Sequence, residues 1–216
     1  MKPFKNFTAF AVLGLFLLVA LNSCKKDPLN NLSSNDSRIY ITNYDTAANF
    51  ESYQTFSIED SVNVIVNDQS LGNQLNTYDS TVISEVARMM KGRGYSLLDK
   101  SGKPDLAVNV SRVTNTSTGI ISYPDYWDGY GGFYDPYYWG YPGYGYYAPY
   151  IIGAYTIRDG GLEIDILDLK NATSQGNKIQ ALWSGLARGA AVFNPANASA
   201  EVDTLFSQSP YLKSNN

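Results

Sequence analysis

An α+β fold is what the sequence predicts: a two-layer sandwich whose mostly antiparallel sheet carries two helices on one face. Three observations lead to it. Strand-like segments outnumber helical ones, two separate stretches carry apolar residues at helical spacing, and Asp159, Gly160 and Gly161 form a tight-turn signature of the kind that joins antiparallel strands. A long loop rich in Tyr, Gly and Pro interrupts the strands.

Residues 1–23 read as a lipoprotein signal peptide. Lys2 and Lys5 give a positive start, Phe10 to Leu21 an apolar core, and the small Ser23 precedes Cys24. That core is short of the roughly 20 apolar residues that span a bilayer, so cleavage is expected rather than a retained helix. Leu21, Asn22, Ser23 and Cys24 resemble a lipobox, although Asn22 departs from the small or β-branched residue commoner there. Cys24, the single cysteine of the chain, is the expected lipidation site. At about 0.8 kcal/mol per buried methylene, several acyl chains make attachment to the membrane effectively permanent. Lys25 stands where Asp would mark inner-membrane retention in many Gram-negative bacteria, so the outer membrane is expected. Lys25, Lys26 and Asp27 also loosely resemble the short charged signals of surface lipoproteins; the periplasmic and cell-surface faces both stay open.

Residues 24–37 comprise the lipidated Cys and a flexible tether, polar and rich in Asn and Ser, with a mean reach of about 20 Å. Residues 38–212 form one α+β domain, a size that supports a real core. Arg38 to Asp45 alternates as a first strand, and the second half of Asn49 to Ile58 reads as another. Ser61 to Leu75 reads as a long loop with a short strand, because Asn and Asp cluster just after the alternating Val62, Val64 and Val66. Thr77 to Lys91 is the clearest helix: Val82, Ile83, Val86, Met89 and Met90 share one face, and Gly92 and Gly94 end it. A short strand follows at Tyr95 to Leu98 and a longer one at Pro104 to Val113, then a strand pair over Ile151 to Leu169 and a strand within Ile179 to Val192. Asn194 as cap and Pro195 at the first helical position open a last helix through Phe206.

Half of Tyr123 to Tyr150 is Tyr, Trp or Phe, and most of the rest is Gly, Pro or Asp. Gly and Pro at this density forbid a regular helix or an interior strand, and the near absence of aliphatic side chains marks the tract as an excursion without a core of its own. Tyr126, Trp127, Tyr137, Tyr138 and Trp139 are the candidate ligand contacts. Flat rings with polar tips suit stacking on glycans or peptidoglycan, seating among lipid headgroups, or self-association. Against these stands a loop tolerated by the fold with no dedicated ligand.

Composition narrows the chemistry. Loss of Lys2 and Lys5 with the signal moves the formal charge from −4 to −6, without a basic stripe, so nucleic acid is not an expected partner. The chain has no His, which removes His-based triads and imidazole zinc sites, and a lipidated Cys24 removes thiol catalysis and disulfides. No cofactor or metal is expected. Glu163, Asp165 and Asp168 are the best carboxylate cluster for acid and base work on a glycosidic bond. Residues two apart on a strand share a face, however, so Glu163 and Asp165 read more simply as the polar side of a half-buried strand. Asp followed by Ser or Thr and an aliphatic residue or Thr occurs at Thr46, Ser61, Ser80 and Thr204 and resembles an O-glycan acceptor motif of exported bacterial proteins. Ser61 is expected to be the most exposed of the four.

Four blocks in order resemble the uncharacterised bacterial lipoprotein family known as domain of unknown function 4136. Tyr44, Asp45, Ala48, Phe50, Tyr53, Thr55 and Phe56 resemble its opening motif; Gly94, Tyr95, Pro104, Asp105 and Leu106 its central block. Gly161, Leu162, Ile164, Asp165 and Asp168 are similar to a strand after the aromatic tract, and Trp183, Gly185, Ala187 and Gly189 to a late strand. The chain departs from the pattern around Val62 to Asn76. The resemblance implies an envelope lipoprotein and no catalytic residues. The expected function is therefore a membrane-anchored protein that binds or scaffolds peptidoglycan, a glycan or another envelope protein; the alternative is a carboxylate-dependent hydrolase of cell-wall or surface glycans.

Overall fold

The computed structural model describes residues 37–114, 135–150, 157 and 159–215. Cys24, the tether up to residue 36, Tyr126, Trp127 and the strand expected from Ile151 lie outside these residues. Among the described residues, no helix is long and apolar enough to cross a membrane.

Among the described residues, nine strands form one mixed sheet: β1 (Ile39–Tyr44), β2 (Thr55–Ile58), β3 (Val62–Val66), β4 (Gln69–Gln74), β5 (Ser96–Leu97), β6 (Leu106–Thr114), β7 (Gly145–Tyr147), β8 (Gly161–Asp168) and β9 (Lys178–Arg188). The principal order is β1-β9-β8-β6-β2-β5. The long pairings β1 with β9, β9 with β8 and β8 with β6 are antiparallel, and the short ones of β2 and β3 on β6, β5 on β2 and β7 on β9 are parallel. β2 and β3 lie in tandem along β6: Phe56 to Ile58 face Leu106 to Val108, and Asn63 to Val66 face Ser111 to Thr114.

The expected loop at Ser61 to Leu75 is instead the β3–β4 hairpin. Asn67 and Asp68 both take positive φ, 52° and 61°, as a tight hairpin turn requires, and Asn and Asp are the side chains that tolerate it best. The polar cluster that argued against a strand makes the turn between two.

Helix α1 spans Thr77–Gly92 and α2 spans Ala198–Ser207, both packed on one face of the sheet. α1 opens with a reciprocal cap: Asp79 N donates to Asn76 Oδ1 and Asn76 N to Asp79 Oδ2, each at 2.9 Å. The last helix begins later than expected. Asn194 accepts from Ala196 N at 3.0 Å in a turn of its own, and the helix starts at Ala198 after Asn197. Arg93, just beyond α1, donates to the carbonyls of Phe206, Ser209 and Leu212 at 2.6 to 2.9 Å, so the end of one helix holds the end of the other.

The core under the helices joins Tyr78, Val82, Val86 and Met90 of α1 and Val202, Leu205 and Phe206 of α2 to the inward side chains of β6, β8 and β9. A second apolar cluster lies on the opposite face of the sheet. There Ile65, Ala107, Leu167, Ile179, Ala181 and Leu186 pack with Trp139 and Tyr146 from the aromatic tract.

Candidate functional site

The described part of the tract, residues 135–150, is part of the sheet's cover. Asp135 caps a short 3-10 turn at Pro136–Trp139 by accepting from Tyr137 N at 2.9 Å, and Pro136 sits at its start, where a missing N–H costs nothing. Gly140 ends the turn with φ 88°. Gly145–Tyr147 then pairs with Lys178 to Gln180, so the tract contributes β7. The tract joins the core of the sheet's second face, its aromatic rings supplying the apolar surface that aliphatic residues would otherwise provide.

The candidate contacts divide sharply. Trp139 is 7% exposed and belongs to the second core, whereas Tyr137 is 71% exposed. Tyr138 lies between them, half-buried, its ring edge-on to Trp139 with centroids 5.2 Å apart. Burial, then the hydrogen-bonded Glu59 carboxylate, push the Tyr138 hydroxyl above its ordinary pKa and keep it neutral.

Beside this turn is a cleft of about 520 Å³ with Trp139, Gly140 and Tyr141 on one side and Lys100, Lys103 and Lys170 among its other walls. Lys100 Nζ lies 3.4 Å from the Tyr138 ring centroid, a cation–π contact. Lys170 Nζ donates to Ser52 O at 2.7 Å, and the Tyr141 hydroxyl to Leu169 O at 2.7 Å. Sequence reading passes over these lysines because they come from two separated loops and follow no motif.

The carboxylates do not form the expected cluster. Strand β8 is buried along its whole length, not half-buried, because the second face is covered as well. Glu163 and Asp165 lie on that second face, where Asp165 stands between Asn109 of β6 and Ser184 of β9. The end of the tract packs on this face through Tyr150, whose hydroxyl is held well above its ordinary pKa by burial and then by the Asp165 charge. Asp168 points to the opposite face and is fully buried. It accepts from the Tyr53 hydroxyl at 2.9 Å, Asn171 N at 2.9 Å, Asn171 Nδ2 at 2.8 Å and Gln175 Nε2 at 3.2 Å. A carboxylate with four donors fixes the β8–β9 connection. Among the described residues, no group of three or more acidic or Cys side chains is placed to hold a metal ion.

Of the four acceptor triplets, Ser61 is half-buried, while Thr46 and Ser80 are exposed, so the expected ranking is reversed. Ser80 and Thr204 sit in helices, their hydroxyls donating to the carbonyls four residues earlier.

A mixed sheet with two helices on one face and an aromatic cover on the other defines an α+β domain of a distinct type. The family model described as Domain of unknown function (DUF4136) matches residues 41–211, and the chain belongs to that family. It is similar to the crystal structure of a DUF4136 family protein from Bacteroides thetaiotaomicron, with 28% identity and a TM-score of 0.69 over 82% of this chain and 98% of that one. A likeness to the PelC dodecamer from Paraburkholderia phytofirmans covers 83% of this chain and 99% of that one, at 9% identity and a TM-score of 0.38. No curated protein matches the chain.

Proposed function

We propose that this chain is an outer-membrane lipoprotein, held by acyl chains on Cys24, whose domain binds an envelope component through the outer side of the 135–150 tract. The observation that carries the binding role is the split within one short turn: Trp139 is built into the core while Tyr137 turns its ring outward. A ring left 71% exposed on a base seated in the core suits stacking on a sugar or another flat apolar face. The anchor rests on the lipobox-like Leu21 to Cys24 behind an export-type leader. The hydrolase alternative gains no support, because Asp168 is engaged by four donors and separated from Glu163 and Asp165 by the sheet.

The test is co-sedimentation of the full-length protein in detergent with purified peptidoglycan sacculi and with isolated surface polysaccharide. Binding to one of them, weakened about tenfold by Tyr137→Ala with folding intact, is expected for a stacking contact of this kind. A wild type that pellets with neither, or a Tyr137→Ala variant that binds as the wild type does, overturns the reading.

A further inference from the structure

We propose that the cleft beside Trp139 binds a saccharide carrying a carboxylate or phosphate group, with Lys100, Lys103 and Lys170 receiving the negative charge. The proposal rests on the reading of the tract as a ligand face and adds the class of ligand. At about 520 Å³ the cleft falls in the range of ligand pockets, roughly 300–1,000 Å³.

Charge is the first argument. The chain has 20 acidic and 16 basic residues, yet three lysines converge on this cleft and, among the described residues of its wall, Asp105 is the one carboxylate. Asp105 is committed elsewhere: its Oδ2 accepts from Gln54 N at 2.7 Å and Thr55 N at 3.2 Å. Among the described residues, none of the three ammonium groups lies within ion-pair distance of a carboxylate. A concave site lined by one sign of charge concentrates ligands of the other.

Shape and chemistry agree with it. Trp139 and Tyr141 give aromatic surface against which the C–H face of a sugar ring can lie, while the lysines stand where its acidic group would be held. The neighbouring cleft, about 450 Å³, is lined by Glu59, Asp60 and Asp99 and shares Lys100. Its opposite sign repels an anion there and favours the lysine side.

The backbone adds an independent observation. Lys103 closes the Lys100–Gly102 turn in the left-handed conformation, at φ 54° and ψ 63°. Glycine takes that conformation without steric cost and lysine does not. An exposed lysine kept at such a position points to use of its ammonium group.

The experiment is calorimetric titration of the full-length protein in detergent with trigalacturonate, glucose 6-phosphate and neutral maltotriose. At low salt at least one anionic ligand should bind about tenfold or more tightly than maltotriose and weaken steeply at high ionic strength. Stronger binding of trigalacturonate assigns a carboxylate, and of glucose 6-phosphate a phosphate. Lys103→Gly removes the charge and relieves the backbone, so it should bind the anion roughly fivefold or more weakly while its Tm stays equal or rises. Lys100→Gln should weaken it likewise. Failure of both anions to bind, equal binding of maltotriose, or undiminished binding by both variants overturns the anionic site. The tract reading is judged separately by the Tyr137→Ala co-sedimentation, which can fail while trigalacturonate still binds, or hold while it does not.

Discussion

The Tyr78 hydroxyl donates to Glu201 Oε2 over 2.7 Å, and Arg38 Nη1 reaches the other carboxylate oxygen at 3.1 Å. One fully buried carboxylate thus ties α1, α2 and the residue that leads into β1. The domain is therefore tied together at the start of its first strand.

Removing that carboxylate breaks a buried ion pair whose guanidinium side is 7% exposed. Glu201→Ala should cost about 3–5 kcal/mol of unfolding free energy, and Tyr78→Phe about 1–3 kcal/mol, read from urea unfolding midpoints.

Burial raises the Glu201 pKa above its ordinary 4.5 despite the opposing hydrogen bonds from Tyr78 and Arg38. The folded state therefore holds this proton more tightly than the unfolded chain. Its contribution to stability is full below the unfolded value and is lost as pH rises through the raised folded value. The stability of the wild type relative to Glu201→Gln should fall as pH rises above 4.5. Urea midpoints of the pair across that range check it, and a difference that grows with pH contradicts it.

Gly185 on β9 leaves room for the indole of Trp183, two residues before it on the same face. A Cβ at Gly185 would clash with the edge of that indole. Trp183 cannot move aside freely, since its Nε1 donates to Ser209 Oγ at 2.8 Å and the side chain is fully buried. Gly185→Ala should cost about 1–3 kcal/mol, with a matching fall in Tm.

Asp168→Asn keeps the volume but presents an amide to four donors. A loss of about 1–3 kcal/mol is expected by chemical unfolding, from structural damage alone. Release of sugar from cell-wall glycan by the wild type, abolished in an Asp168→Asn protein that remains folded, would contradict that assignment.

Much of the fold was legible where one period dominated. The α1 stripe of Val82, Val86 and Met90 is buried as its spacing requires, and Gly94 follows at φ 90°. β4 was not legible, because Gln69–Gln74 is a largely exposed strand with no apolar alternation, specified by its turn and by β3 rather than by its own residues. Glu163 and Asp165 misled for the opposite reason: alternation marks which residues share a face, but says nothing of whether that face is covered. The cover came from Trp139 and Tyr146, in a tract whose Gly and Pro content argued against regular structure and whose rings nevertheless pack. The lysine cleft had no sequence signature, since Lys170 reaches Lys100 and Lys103 only through the sheet.

Lipid attachment at Cys24 is tested most directly by labelling cells with an alkyne palmitate analogue and fractionating membranes from strains making the wild type or Cys24→Ser. The expected result is a labelled wild type that pellets with the outer membrane and an unlabelled Cys24→Ser protein released from it. A wild type whose Cys24 is a free thiol by mass spectrometry, or a Cys24→Ser protein that stays labelled and membrane-bound, would contradict it.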